Sequence, residues 1–268
     1  MRFLSVGDNC VDNYVELGQR FPGGNALNVA VYANRISNVE ATYIGVVGTD
    51  ENGDFILDEM RREGLKTDNV IRLHGNTAVT TIHIRNGERV FVNYDAGIQK
   101  NAVLPHGLLR EFNNYDIVHF TVWGFGKENI NELKRISNLK ISFDFSNQFD
   151  NEALKVLPWV DYSFFSGKEL IRKEVDLEEF VTNLKKRTPG LIIMTLGEYG
   201  SIAFDGETFY KGQAKPVNVL DTLGAGDSFI ASFLCSKNKG VSIDSALEKG
   251  HEASRKICSR LGAWGGVA

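Results

Sequence analysis

The chain has 268 residues, a length that suits one large α/β domain and allows a sizeable buried core. Its 34 acidic and 30 basic residues give a formal net charge of −4 without a long run of one sign, so neither nucleic acid nor a membrane surface is expected as a partner. Three cysteines without CxxC spacing argue against a disulfide framework and a zinc site. With no signal-peptide pattern and no apolar run of about 18 residues, a cytoplasmic protein is expected.

The first predicted element is a short buried strand over residues 3–6, which ends at Gly7, Asp8 and Asn9. In an open α/β sheet, ligands bind at the carboxyl ends of the strands. Asp8 and Asp12 both follow this strand, and their carboxylates could accept hydrogen bonds from sugar hydroxyl groups. A turn-forming role is the alternative for Asp8.

A glycine pair, Gly23 and Gly24, precedes a predicted helix over residues 25–35. The pair would let a ligand approach backbone N–H groups, and Asn28 offers a donor and an acceptor one turn further on, as a polyol requires. A plain loop explains a Gly-Gly pair equally well.

A β-hairpin is predicted in the next part of the chain, after a strand over residues 42–47 and a helix over residues 53–62. Two β-rich runs, residues 79–84 and 90–94, flank Asn86 and Gly87, and an Asn-Gly turn between such runs is a strong hairpin signal.

From residue 117 onward strands and helices alternate. Strands are predicted over residues 117–120, 141–144, 162–166 and 191–195, and helices over 128–138, 152–157 and 177–187. This alternation indicates βα crossovers and a mainly parallel sheet with helices on both faces. Because no linker or repeat interrupts the pattern, we expect one domain over residues 1–268, with the hairpin as an insertion.

The segment 219–234, VLDTLGAGDSFIASFL, combines a turn formed by Gly224, Ala225 and Gly226 with the start of an amphipathic helix. The N–H groups at a helix start favour an anionic ligand. Asp227 lies just inside this end, where its carboxylate could accept a proton from an alcohol that approaches a phosphate held by the same amides. The alternative is that Asp227 only complements the helix dipole.

Residues 221–227, DTLGAGD, resemble the D-T-x-G-A-G-D signature of the ribokinase-like (PfkB) carbohydrate kinases, and residues 23–30, GGNALNVA, resemble the N-terminal signature of that family. The resemblance covers residues 3–264. It implies an α/β, three-layer ribokinase-like fold with a central mainly parallel sheet and a small β lid. It also implies an ATP-dependent sugar kinase that uses Mg²⁺. Within the family, the runs GDNCVD, GGNALNVAVY, FDFS and TLGEYGS are most similar to kinases of Amadori adducts, in which a sugar is joined to an amino acid.

For the sugar end of the site, the resemblance implies that Asp12 holds substrate hydroxyl groups. It places lid segments at about residues 10–22 and 76–96, and in several members of the family the lids pair into a dimer. A homodimer through the lid is therefore expected.

For the nucleotide end, the resemblance places the phosphates and ribose of ATP at Thr195, Gly197 and Gly200. Residues 166–169, SGKE, correspond to the family segment N-x-x-E, in which Glu169 would influence Mg²⁺ through water. Ser166 replaces the family Asn, which removes an amide from this position.

At the end of the C-terminal helix, predicted over residues 242–260, the resemblance places Gly262 against adenine. It also places Asp221 in a loop that binds a monovalent cation, with K⁺ as the candidate.

The resulting hypothesis is that a primary alcohol of a sugar derivative attacks the γ-phosphate of ATP while Asp227 accepts its proton. The alternatives are a kinase of ribose, fructose or a nucleoside, and a non-catalytic sugar or nucleotide sensor on the same fold. A nicotinamide-dependent oxidoreductase is disfavoured because residues 7–9 break the G-x-G-x-x-G pattern.

An Amadori adduct also carries an ammonium group, so its site should provide a carboxylate and an aromatic face. Asp95 and Trp123, which follow predicted strands, are the candidates. A turn aspartate and a core tryptophan are the alternatives for these two residues.

Overall fold

The computed structural model describes residues 1–85, 88–136 and 138–264, and the predicted Asn86-Gly87 turn lies outside these residues. The strands are β1 (Arg2–Val6), β2 (Cys10–Tyr14), β3 (Gln19–Gly23), β4 (Glu40–Gly48), β5 (Val70–Leu73), β6 (Val79–Arg85), β7 (Glu88–Asp95), β8 (Ile117–Thr121), β9 (Lys140–Asp144), β10 (Tyr162–Ser166), β11 (Leu191–Thr195), β12 (Ser201–Phe204) and β13 (Phe209–Gly212). The α-helices are α1 (Asn25–Asn34), α2 (Glu51–Arg62), α3 (Ile130–Ile136), α4 (Lys168–Arg172), α5 (Leu177–Lys185), α6 (Ala225–Asn238) and α7 (Ile243–Ile257).

The larger of two sheets has nine strands in the order β13-β12-β11-β10-β9-β8-β1-β4-β5. The pairs from β11 to β5 are parallel, and β12 and β13 add antiparallel strands at one edge. The predicted mainly parallel sheet is therefore confirmed. Because the strands run the same way, their carboxyl ends share one edge of the sheet.

Helices cover both faces of this sheet. Side chains that alternate along each strand enter different cores, since successive residues point to opposite faces. Phe3 and Phe164 pack with α1, α2, α6 and α7, whereas Leu4 and Phe165 pack with α3 and α5. The result is a three-layer α/β architecture.

A second, four-stranded sheet has the order β3-β2-β6-β7. β2 pairs antiparallel with β3 and parallel with β6, and β6 pairs antiparallel with β7. Its strands come from the two segments that the sequence assigned to a lid. We call this sheet the small sheet. Its own core is Tyr14, Phe21 and Ile82.

One predicted helix is wrong in type. Residues 152–157 were expected to be α-helical, but Ala153–Trp159 form a 3₁₀-helix that contains Pro158. Proline lacks an N–H donor and its ring clashes with the preceding turn of an α-helix, so this short segment takes the tighter form. None of the helices in the described parts of the chain has the length and apolar character needed to cross a bilayer.

Candidate active site

The predicted general base, Asp227, lies in the first turn of α6 and is buried. Gly224 caps the helix with a φ of +76°, in the left-handed region that glycine adopts readily. A Cβ atom on Gly224 would lie 2.5 Å from the Tyr32 hydroxyl and 2.9 Å from Ala263 Cβ. The turn is thus packed tightly on the protein side, which fixes the N-terminus of α6.

Gly226, in contrast to Gly224, lies at the exposed side of the turn. Apart from its chain neighbours and the backbone of α6, no described atom would lie within 4 Å of a Cβ atom placed on it, so the turn is open at this residue. Together with Ala225, it presents the amide end of α6 to a space that the described residues leave free. Amides in this position favour an anion.

Asn28 donates a hydrogen bond from Nδ2 to Asp227 Oδ2 at 2.7 Å. Its Oδ1 accepts a hydrogen bond from the Trp264 indole Nε1 at 2.5 Å. The sequence assigned Asn28 to a sugar, whereas in the structure both ends of its amide contact the protein. The contact with Trp264 had no signal in the sequence, because the two residues are 236 positions apart.

Asp8 is buried and contacts the N-terminus of α1. Oδ2 accepts from the Asn25 N–H at 2.6 Å, and Oδ1 accepts from the Ala26 N–H at 3.3 Å and from Thr121 Oγ1 at 2.5 Å. These contacts hold Asp8 against the start of α1, and the predicted contact of Asp8 with sugar hydroxyl groups stays a prediction.

Asp12 is buried on β2, and the Cys10 thiol donates to its Oδ1 at 3.3 Å. Gly23 lies opposite: a Cβ there would be 2.0 Å from Asp12 Oδ2, so glycine makes room for this carboxylate. Gly24 caps α1 with a φ of +99° and lies against the Asn9 backbone. Both glycines therefore have packing reasons beside the predicted ligand contact.

Asp144, at the end of β9, is a residue that the sequence reasoning missed. Its Oδ2 accepts from Asn25 Nδ2 at 3.0 Å and its Oδ1 from the Ser146 N–H at 2.8 Å. Burial raises the pKa of Asp144 to about 6, and the Asp8 charge adds to the effect. A signal was available, because Asp144 ends a predicted strand at the same sheet edge as Asp8.

The carboxylates at this edge influence one another. Burial raises the pKa of Asp227 well above its usual range, and the charges of Asp144, Asp8 and Asp12 raise it further, while the Asn28 hydrogen bond lowers it. Burial likewise raises the pKa of Asp8. Within the described residues, Asp8, Asp144 and Asp227 form no ion pair with a cationic side chain. The site therefore contains several carboxyl groups whose negative charge no described cationic side chain balances.

The predicted nucleotide residues lie along the carboxyl ends of β10 and β11. Thr195 Oγ1 donates to the Phe165 carbonyl at 3.3 Å, and Ser166 ends β10 at an exposed position. Gly197 and Gly200 both have positive φ, +63° and +93°, in the turn between β11 and β12. Glu169, on the short helix α4, pairs with Arg172 at 2.6 Å at the surface.

Asp221 is buried, and N–H and O–H donors point at its carboxylate. Oδ1 accepts from the Leu223 N–H at 2.9 Å, and Oδ2 accepts from the Tyr14 hydroxyl at 2.6 Å and from the Gly262 N–H at 3.1 Å. A cation site needs oxygen acceptors around the ion. The described residues around Asp221 do not test the K⁺ site, which stays a prediction. Gly262 contacts Phe21, against which a Cβ would lie at 2.5 Å.

The two residues predicted to contact an ammonium group of the acceptor, Asp95 and Trp123, lie at the surface, at the rim of the site. Asp95 ends β7, is exposed, and accepts from the Gly97 N–H at 2.9 Å, as a turn aspartate does. Trp123 is 50% exposed, so the core-tryptophan alternative is wrong. Tyr94 is a second aromatic group there. Burial raises the pKa of its hydroxyl, and the charges of Asp8 and Asp12 add to this.

Within the described residues, no group of three or more His, Cys, Asp or Glu side chains is arranged to hold a metal ion. Mg²⁺ binds proteins through one or two carboxylates together with substrate phosphates and water. Glu169 at the nucleotide end is compatible with that mode, in which ATP supplies most of the ligands.

Known carbohydrate kinases are similar to this chain over most of its length. A family model described as pfkB family carbohydrate kinase matches residues 5–266. Fructoselysine 6-kinase of Escherichia coli (strain K12) is 36% identical over 261 residues, covering 97% of this chain and 98% of the relative. Fructosamine kinase FrlD of Bacillus subtilis (strain 168) is 35% identical over 271 residues, covering 99% and 93%.

Among solved structures, ribokinase of Arabidopsis thaliana complexed with ribose and ATP superimposes with a TM-score of 0.84 at 21% identity, covering 98% of this chain and 94% of the other. This likeness shows the ribokinase-like fold. The family match spans nearly the whole chain and includes both the glycine turn and Asp227. The chain belongs to the pfkB family of carbohydrate kinases and is an ATP-using sugar kinase.

Proposed function

We propose that the chain transfers the γ-phosphate of ATP to a primary hydroxyl of a sugar amine, the 6-hydroxyl of fructoselysine, with Asp227 as the general base. The observation that carries the proposal is the position of Asp227. Its buried carboxylate lies in the first turn of α6, beside the open turn at Gly226, where an anionic phosphate and an alcohol can meet.

The chemistry follows from this position. The alcohol proton passes to Asp227 as the oxygen attacks the γ-phosphorus, while the amides of residues 224–226 stabilise the negative charge on the phosphoryl oxygens. Burial makes Asp227 a stronger base than an exposed aspartate, since it raises the pKa of the carboxyl group. Turnover should therefore increase with pH as Asp227 loses its proton.

Mg²⁺, bound with ATP, would neutralise phosphate charge. Glu169 is the described carboxylate that we assign to it, through water. Thr195, Ser166, Gly197 and Gly200 line the nucleotide end, with Gly262 at the adenine. Asp221, which accepts three hydrogen bonds in the structure, is the residue that we assign to a monovalent cation such as K⁺.

A cationic acceptor suits the electrostatics of the sugar end. The charge of Asp8 raises the pKa of Asp144, and the charges of Asp144 and Asp8 raise the pKa of Asp227. None of the three has a cationic partner in the described part of the chain. An ammonium group on the acceptor would reduce this repulsion, whereas a neutral sugar would not. The similarity to fructoselysine 6-kinase and to a fructosamine kinase supports the same substrate class.

Within this proposal, Asp12 holds sugar hydroxyl groups, and Asp95 and Trp123 contact the amino-acid part of the adduct at the rim. The exposed indole of Trp123 presents a face to a cation. The small sheet closes over the acceptor as a lid.

The small sheet also offers a surface for a homodimer. Several apolar side chains of its strands and turn are exposed: Val15, Leu17, Phe91, Val92 and Tyr94. A patch of this kind favours association with a second apolar surface. We propose that two copies pair through these side chains.

The test is a panel of phosphate acceptors with Mg-ATP, scored by ADP release: fructoselysine, fructose, ribose, adenosine and fructose 6-phosphate. Fructoselysine should give the highest kcat/KM. A clear preference for ribose or adenosine would contradict the proposed acceptor, and no turnover with any of them would favour the sensor.

Asp227→Asn should lose about 10²–10⁴-fold in kcat, because Asn keeps the volume but cannot accept the proton. ATP binding measured by calorimetry should persist. Asp58→Asn, at an exposed position on α2, is the matched control. Near-wild-type kcat in Asp227→Asn would refute the role of the base.

A further inference from the structure

The C-terminal segment of the described chain reaches the catalytic aspartate through one asparagine. Trp264 is fully buried, and its indole Nε1 donates to Asn28 Oδ1 at 2.5 Å. Asn28 Nδ2 then donates to Asp227 Oδ2 at 2.7 Å. All three side chains are buried, so water does not compete for these hydrogen bonds.

The indole determines which way the Asn28 amide faces. An asparagine amide has an acceptor end and a donor end of nearly equal size, and its orientation follows from its partners. The indole N–H can only donate, so it requires the amide oxygen on its own side. The NH₂ group is thereby turned toward Asp227, where a carboxylate needs a donor.

The segment that carries Trp264 is itself held against the turn of residues 224–226, which we call the catalytic turn. The Tyr32 hydroxyl of α1 donates to the Ala263 carbonyl, and the missing side chain of Gly224 leaves room for Ala263. Gly262 donates its N–H to Asp221. Residues 262–264 are therefore fixed on both sides of the turn that precedes α6.

We propose that Trp264 is a positioning residue that acts through Asn28 to hold the Asp227 carboxylate in its reactive orientation and keep it ionised. The proposal rests on the proposed function for the catalytic role of Asp227. The hydrogen-bond chain itself does not.

The other titratable groups that face Asp227 make this donor important. Asp144 at the end of β9, Asp8 after β1 and Asp12 on β2 are acidic, and the Tyr32 hydroxyl on α1 is neutral. All three acidic groups raise the pKa of Asp227, whereas the Asn28 amide lowers it by stabilising the charged form. Loss of the correct amide orientation should therefore raise the pKa of Asp227.

The first experiment compares Trp264→Phe with Trp159→Phe, which changes a tryptophan in the distant 3₁₀-helix Ala153–Trp159. In both variants kcat/KM is measured as a function of pH, and its rise on the acidic side, the acidic limb, reports the pKa of Asp227. In Trp264→Phe, the midpoint of this limb should lie about one pH unit higher than in the wild type, because one hydrogen bond to a carboxylate changes its pKa by roughly that amount. At a pH below the limb, kcat should fall about tenfold, with KM for ATP little changed. Trp159→Phe should keep the wild-type profile.

A loss of kcat in Trp264→Phe that is the same at every pH would overturn the proposal, because a merely structural tryptophan predicts that result. A profile that coincides with the wild type would overturn it as well.

A second measurement needs neither activity nor a change at Trp264. The ¹³C carboxyl signal of Asp227, identified by its absence in Asp227→Asn, gives the pKa of that group in the free protein. The chain has three tryptophans, so Trp123→Phe and Trp159→Phe identify the ¹⁵N indole signal of Trp264. That signal should titrate with the same midpoint as Asp227 and be insensitive to pH in Asp227→Asn.

An indole signal that does not follow the Asp227 titration would overturn the hydrogen-bond chain, whatever the enzyme phosphorylates. If no acceptor in the panel is phosphorylated while the indole signal follows Asp227, the proposed function fails and the hydrogen-bond chain stands. The two failures are thus distinguishable.

Discussion

At the scale of single residues, the site depends on carboxyl groups that the fold keeps out of water. Asp144 and Asp227 lie in different elements, at the end of β9 and the start of α6, yet both are buried, and the charge of Asp144 raises the pKa of Asp227 further. Burial of carboxyl groups in this way reduces the stability of the folded protein when they are ionised. The free energy of unfolding should therefore depend on pH through these residues.

Asp144→Asn tests this directly. The folded-state pKa of Asp144, about 6, lies above the unfolded value of about 3.9, so its stabilising contribution is present below about pH 4 and is lost as the pH rises through 6. The wild type should therefore lose about 2–3 kcal/mol more free energy of unfolding than Asp144→Asn between pH 4 and pH 7.5. Urea unfolding at both pH values measures the difference. Parallel behaviour of the two proteins would contradict the buried, unneutralised state of Asp144.

The two glycines of the catalytic turn should respond differently to a methyl group. Gly226→Ala should fold normally, because a Cβ there has no described atom within 4 Å, but should lose about 10- to 100-fold in kcat/KM for ATP because the methyl group occupies ligand space. Gly224→Ala should instead destabilise the fold by at least about 1–2 kcal/mol from its left-handed backbone alone. Melting curves and kinetics on both variants separate the effects. Unchanged kinetics in Gly226→Ala would place ATP elsewhere.

At the scale of elements, β2 connects the small sheet to the catalytic turn. The Tyr14 hydroxyl donates to Asp221 at 2.6 Å, and the Glu16 carboxylate contacts both His83 Nδ1 and the Ile84 N–H. The small sheet is thus anchored at one end to the loop before α6. An element held in this way can move as a unit about the anchored strand.

Tyr14→Phe should weaken this anchor. Removing the donor leaves the buried Asp221 carboxylate with one hydrogen bond fewer, a loss of about 1.5–3 kcal/mol in free energy of unfolding. Tyr199→Phe, at a 61% exposed position, is the matched control and should change little. Amide hydrogen exchange should also become faster in β2 and β3. If exchange there is unaffected, the hydrogen bond does not anchor the small sheet.

At the scale of the whole molecule, the exposed apolar side chains of the small sheet bear on the state of assembly. Val92→Glu should shift a dimer toward monomer in sedimentation velocity, because a charge in an apolar interface is costly to desolvate. Val103→Glu, at a position 71% exposed and outside the small sheet, should leave the sedimentation coefficient unchanged. A wild type that sediments as a monomer at all concentrations would contradict the dimer.

Much of this architecture could be predicted from local patterns. The strands with β-rich runs, such as β10 and β11, and the glycine turn before Asp227 have clear signals within a few residues. Short strands such as β5 and β13 did not, because four residues at a sheet edge carry little periodicity. The contact of Asn28 with Trp264 and the donors around Asp221 depend on tertiary packing, which spacing along the chain does not encode.

The hydrogen bond between Asn28 and Trp264 has a consequence for synthesis of the enzyme. Asn28 leaves the ribosome well before Trp264, because 236 positions separate them. During translation the early strands can pair, since domains begin to fold from their N-terminal parts, but the amide that faces Asp227 has no partner to orient it until Trp264 has emerged. A nascent chain from which Trp264 has not yet emerged should therefore transfer phosphate more slowly than the enzyme that contains it, and a protease that cuts between Cys258 and Trp264 should slow a kinase whose sheet is otherwise intact.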